Sequence, residues 1–268
     1  MNTSSLAKDG RGVRKLLEVR WNPSADTVAV IVSCALVTAS LYAATFIATP
    51  ERGGGMPYFF LYAGLTATVF GVGLPLGWMV IHRRRPIADL GITRQRLGVS
   101  LGIQLVLAIL LYFVTLARVA LPPLRELAPL LGLALTVGFF EAVFWRGWVF
   151  ARLEEAFGLI PALLLGALLY AAYHVGYGMP LGEMAFLFLI GLLFAAVFRL
   201  TGSVFILWPA FQPMGQLVTL IRDGLQLPFM ATVGFLEVLV VMLVLVWLAN
   251  RYYRKHQAAS GKPVEVAA

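Results

Sequence analysis

The feature that most constrains this chain is a series of apolar runs, each about twenty residues long, divided by short basic or Gly/Pro-containing junctions. A run of that length matches the ~30 Å hydrocarbon core of a bilayer. A helix satisfies its own backbone hydrogen bonds there, whereas an open strand cannot. Charged residues are only 13% of the 268 and apolar residues 60%; a soluble domain carries about a quarter charged residues. The pattern predicts an all-α fold: a polytopic transmembrane helical bundle of about eight spans. Their expected positions are Thr27 to Ala48, Tyr58 to Ile81, Val99 to Leu121, Pro129 to Phe150, Leu159 to Val175, Leu181 to Phe198, Val204 to Ile221 and Phe229 to Asn250. Gly73 and Gly77 have the small-xxx-small spacing that lets helices approach, and Pro75 between them predicts a kink. The seventh span is unusual, because it holds Pro209, Gln212, Pro213 and Gln216.

The basic residues are segregated, and this sets orientation. A basic segment over 1–26 contains Lys8, Arg11, Arg14, Lys15 and Arg20. It falls on the same side as Arg83 to Arg85, Arg94, Arg96, Arg152, Arg199, Arg251, Arg254, Lys255 and Lys262. The opposite side keeps only Arg52, Arg118, Arg125 and Arg222. The positive-inside rule then predicts cytoplasmic termini, a membrane domain over 27–250 and a basic cytoplasmic tail over 251–268. The expected location is a prokaryotic plasma membrane, with the first run kept as an uncleaved helix. The net charge of +8 belongs to membrane borders and anionic lipid rather than to nucleic acid. Cys34 is the single cysteine, which excludes a disulfide framework and a cysteine-based metal site.

An ionisable group inside the bilayer costs at least ~2.5 kcal/mol, so each one needs a reason. Glu141, His174 and Glu237 are such groups, with Arg146 and Glu183 nearer span ends. Glu141 is a candidate general base, or else a hydrogen-bonding contact between helices. On a straight helix Arg146 lies about 140° away from it and cannot pair directly; another helix, the interface or a lipid phosphate would receive it. His174 follows Tyr170 by four residues and shares its face. It could orient water and accept a proton, or make an interhelical hydrogen bond. Gln212 and Gln216 share a face of a proline-broken helix, fit either to donate to an oxyanion or to pack. Glu237 stands alone on an apolar helix, where a buried pairing or a catalytic role is open. His82 and His256 read as solvated. No three-ligand metal pattern and no phosphate-binding loop is present, so neither a metal nor another cofactor is expected. Glu141 falls mid-span and His174 near a span end, so a joint role requires the fold to bring them to one depth.

The residues from Glu141 to Gly147, from Tyr170 to His174, and the polar pair after Thr201-Gly202-Ser203 resemble a family. It is the CPBP family of CAAX-processing and bacteriocin-processing intramembrane endopeptidases, also called Abi. Its pattern is Glu-Glu-x-x-x-Arg-Gly, then aromatic-x-x-x-His on the next helix, then His-x-x-x-Asn/Asp. The Asp89-Leu90-Gly91 loop is also typical. The resemblance covers about Phe139 to Gln216, within a protease-like core over 129–221. It implies that Glu141 activates a water with help from His174, that Arg146 and Tyr170 are the supporting motif residues, and that Gln212 and Gln216 occupy the oxyanion positions. Ala142 stands where the family has its second Glu, and Gln212 where it has a His. The implied activity is a glutamate-type endopeptidase acting on a membrane-associated peptide or protein. These departures favour a membrane-embedded peptide other than a prenyl-CAAX one. The alternatives are a relative that binds such a peptide without cutting it, or a transporter with Glu141, His174 and Glu237 on a proton path.

Overall fold

The computed structural model describes residues 18–48 and 55–259. The expectations for Lys8, Arg11, Arg14, Lys15, Arg52, Lys262 and most of the 50–57 connector lie outside the described residues. Among the described residues, seven helices are long and apolar enough to cross a membrane: α1 (Ala25–Ile47), α2 (Gly55–His82), α3 (Leu97–Thr115), α4 (Leu124–Phe157), α5 (Leu159–Tyr177), α6 (Leu181–Thr201) and α8 (Ala231–Ala259). The expected seventh span has a different form. A short 3₁₀ turn at Val204–Ile206 precedes α7 (Phe211–Arg222), which has only 12 residues. Pro209 and Pro213 lack the amide donors that a continuous helix would need. The count of about eight membrane segments stands, with one of them interrupted.

Local chemistry sets the helix ends. Ser24 caps α1 by accepting from the Asp26 amide, while Thr27 accepts from the Ser24 amide. The helix starts at Ala25 for that reason, slightly before the apolar run itself. α3 ends at Thr115, short of the expected Leu121, and passes through a 3₁₀ turn at Leu116–Arg118 before Pro122 and Pro123, and α4 starts directly after Pro123 rather than at Pro129. Pro129 lies inside the helix, one turn beyond its start, and removes the amide that would donate to the Arg125 carbonyl. At its far end α4 continues to Phe157, beyond the expected Phe150, until Gly158 breaks it with φ 88.

α4 is the central helix. Every residue from Val137 to Phe150 is buried. It is covered by α8, α7, α2 and α5, with α6 packed on α5 and α1 packed on α2 and the end of α5. Close approach depends on small residues, though not on Gly73 and Gly77. A Cβ at Gly77 would meet nothing within 4 Å, and one at Gly73 would meet only its own chain at Thr68. The tight contact of α2 is at Gly71, where a Cβ would fall 2.2 Å from the Phe140 ring. Gly147 fills the same role on α4, since a Cβ there would lie 2.1 Å from the Leu90 carbonyl oxygen. The Asp89-Leu90-Gly91 loop is thereby pressed onto α4, and the Gly91 carbonyl accepts from the Val204 amide at 2.9 Å.

The basic residues gather at one end of the bundle and are tied together there. Arg85 contacts Asp89 and Glu155, Arg152 contacts Glu155, Arg199 contacts Glu154, and Arg83 contacts Asp26. Hydrogen bonds to Glu155 and Asp89 hold the Arg85 pKa above its ordinary value. Glu237 departs from the expected buried pairing: it is exposed on the outer face of α8. The buried stripe of α8 runs through Phe235, Val238, Leu239 and Met242, and Glu237 is out of phase with it. Glu183 is exposed in the first turn of α6, and His82 and His256 are exposed as expected.

Candidate active site

Glu141 is the 18th residue of the Leu124–Glu141 segment and sits at the middle of α4, 3% exposed. Three donors from two other elements converge on its carboxylate. The Tyr173 hydroxyl donates to Oε1 at 2.5 Å. The Gln212 amide nitrogen donates to Oε2 at 2.7 Å, and the Tyr170 hydroxyl lies 3.4 Å from the same oxygen. A carboxylate that only accepts suits this arrangement, because every neighbour presents a hydrogen.

Each donor is positioned by its own element. Tyr170 and Tyr173 are three apart at the end of α5, so they share a face. From Tyr173 the helix tightens into a 3₁₀ turn ending at Gly178, whose φ of 72 stops it. Gln212 reaches Glu141 because α7 lies against α4 at Gly138, where a Cβ would fall 2.8 Å from the Pro213 ring. Trp208 fixes the approach by donating from Nε1 to the Leu135 carbonyl at 2.9 Å.

His174 is 7% exposed and makes no hydrogen bond to Glu141. Its Nδ1 lies 2.8 Å from the Tyr170 carbonyl oxygen. A carbonyl can only accept, so Nδ1 carries the hydrogen and Nε2 is left as an acceptor. The imidazole stacks at 4.2 Å on the Tyr173 ring and at 5.2 Å, edge-on, on the Tyr170 ring. Tyr170 and Tyr173 touch both Glu141 and His174 and so link the two without a direct bond between them.

Arg146 was expected near a span end. It is 1% exposed in the interior, because α4 continues well past it. From Ala142 to Phe150 the helix widens into a π-helical stretch. Bonding of the i→i+5 type brings residues five apart nearer one face than a straight helix allows. Arg146 and Glu141 thus both contact Tyr170. The guanidinium lies 4.7 Å over the Tyr170 ring and 5.6 Å from the Phe194 ring on α6, and its three nitrogens have no hydrogen-bond partner among the described residues. Gln216 is one turn beyond Gln212 and stands apart from the cluster, its Oε1 buried and unbonded. The Gln212 Oε1 is also unbonded.

Tyr173 is the closest partner of Glu141, and sequence reasoning passed over it. The Tyr170-Ala-Ala-Tyr173 spacing carried the signal.

Residues 123–211 match the model of the type II CAAX prenyl endopeptidase Rce1-like family. The match stops one residue short of Gln212, where the third motif departs from the family's His. No curated protein and no solved structure matches the chain. The matched stretch holds Glu141, Arg146, Tyr170 and His174, and over it the chain is similar to the CAAX-type family of membrane endopeptidases.

Proposed function

We propose that the protein is an intramembrane endopeptidase that hydrolyses a peptide bond of a membrane-associated peptide or protein. The supporting observation is the buried Glu141 carboxylate at the middle of α4, held by hydroxyl and amide donors from α5 and α7. In the proposed reaction Glu141 takes a proton from water as the hydroxide oxygen adds to the scissile carbonyl carbon. His174, with Nδ1–H committed to the Tyr170 carbonyl, accepts a water hydrogen at Nε2 and orients the attack. The developing oxyanion takes the second amide hydrogen of Gln212. The carbon–nitrogen bond then breaks, and Glu141 returns its proton to the departing amine. The proposed orientation puts both termini in the cytoplasm of a prokaryotic cell.

A second reading, capture of a membrane peptide without cleavage, is favoured by Ala142 and by an amide at 212 that cannot titrate. One experiment separates the two. Protein termini are mapped in the membrane proteome of a deletion strain carrying wild type or Glu141→Ala at matched expression. Termini present only with wild type support cleavage by Glu141. Identical termini, with both proteins stably inserted, reject it in favour of capture.

A further inference from the structure

At the basic end of the bundle, away from Glu141, a recess of about 350 Å³ opens between the end of α2 and the end of α8. Val80, Arg83, Arg84, Tyr252, Tyr253 and His256 line it. Its chemistry is that of an anion site at a membrane border. Arg83 is neutralised by Asp26, with Nε 3.0 Å from Oδ1. Arg84 is exposed and has no ion-pair partner among the described residues.

Arg84 lines the recess and has φ 52, a left-handed conformation that glycine adopts freely and other residues adopt at a cost. The Tyr253 hydroxyl accepts from the Gln257 amide, which leaves its own hydrogen to donate. His256 donates from Nδ1 to the Tyr252 carbonyl oxygen at 2.9 Å, so its Nε2 is an acceptor and takes no part in holding an anion. Toward the bilayer the recess is bordered by apolar surface: Ile81 on α2, and Trp247 and Leu248 one turn back on α8, are all exposed. A free phosphate would use the guanidinium and hydroxyl alone. A phospholipid would also cover that apolar border.

We propose that this recess binds the phosphate headgroup of an anionic phospholipid, with Arg84 and Tyr253 on the phosphate and the acyl chains along Ile81 and Leu248. Tyrosines at headgroup depth and basic recesses between helices are how membrane proteins select such lipids.

The test uses the full chain, purified in neutral detergent, with bound lipid read by native mass spectrometry. Phosphatidylglycerol and phosphatidylcholine of equal chain length are titrated separately, and inorganic phosphate is added as a competitor. The expected result is tighter retention of phosphatidylglycerol, weakened about tenfold, or 1.4 kcal/mol, in Arg84→Gly. Glycine suits the backbone at this position, so the variant keeps its fold, and a thermal midpoint without lipid at or above that of wild type confirms this. Arg254→Gln, beside the recess but outside its lining, is expected to bind as wild type does. Equal retention of the two lipids overturns the site, as does an equal loss in Arg254→Gln or unchanged binding in Arg84→Gly. Complete displacement by phosphate as tight as the lipid itself overturns the lipid as occupant.

Discussion

Replacing Gly138 by alanine tests the contact on which the candidate site depends. A Cβ at 138 would lie 2.8 Å from Pro213 Cγ and 3.2 Å from its Cδ. Carbon atoms pack at about 3.5 Å or more, so α7 must retreat by about 0.7 Å. The proline ring is fused to its backbone and cannot swing aside as a long side chain would. Gln212 is the adjacent residue and moves with it, which stretches its 2.7 Å bond to Glu141 toward about 3.4 Å. Overpacking costs about 1–3 kcal/mol. The weakened bond to a charged acceptor forfeits about 1–2 kcal/mol, and better helix propensity returns about 1 kcal/mol. The net expectation is a destabilisation of about 1–4 kcal/mol together with reduced cleavage. Gly132 on the same helix is the control. A Cβ there meets its nearest atoms at 3.5 to 3.7 Å, which is ordinary contact. Gly132→Ala is therefore expected to be neutral or stabilising by up to about 1 kcal/mol. Both variants are unfolded in one detergent by denaturant titration. If Gly138→Ala is as stable as Gly132→Ala, the α4–α7 contact is not the constraint described, and the reasoning fails.

Further expectations concern the carboxylate and its surroundings. Tyr173→Phe removes the donor nearest Glu141 and is expected to lower kcat by about 10- to 100-fold, measured on a cleavable reporter in liposomes; an unchanged kcat would remove Tyr173 from the site. Gln212→His restores the titratable group of the family pattern and is expected to raise turnover by about 10²-fold, or to create it, if that departure limits the chain; equal or lower turnover would show that the amide suits this site better. Arg146→Met removes the cation that offsets the buried Glu141 carboxylate and its contacts with the Tyr170 and Phe194 rings, and is expected to destabilise by about 3 kcal/mol; a neutral or stabilising outcome would show that the two charges do not depend on each other. Arg85→Ala is expected to cost no more than about 1 kcal/mol, because its ion pairs are partly exposed and screened, and less at high salt. Its raised pKa means that this contribution is fully present below the ordinary arginine range and is lost only as pH rises beyond it, so the loss should be constant across neutral pH.

Hydropathy alone was enough to read most of the bundle, because each spanning helix must be apolar along its length. It misjudged α4 at both ends, since Leu124 to Ala128 and Ala151 to Phe157 are helical by caps, prolines and Gly158 rather than by apolarity. It also treated Val204 to Ile221 as one span, although Pro209 and Pro213 foretold the break. Glu141 and His174 stood out because charge is rare at that depth. Tyr173 did not, because a tyrosine in a membrane helix is unremarkable until its hydroxyl has a partner. The burial of Arg146 depended on a local widening of the helix that no periodic reading anticipates. The exposure of Glu237 is a matter of rotational phase, set by which stripe of α8 faces α4.

Glu141 lies at the centre of the 34 residues of α4, which in the proposed reaction puts cleavage near the middle of the bilayer and has a consequence for what it would leave behind. A helix crossing the bilayer beside it and cut at that level yields two fragments of about ten residues, each too short to span the core. Neither fragment could stay anchored as a transmembrane segment. Cleavage at this depth would act as a release step, freeing whatever domain each half had held at its own surface.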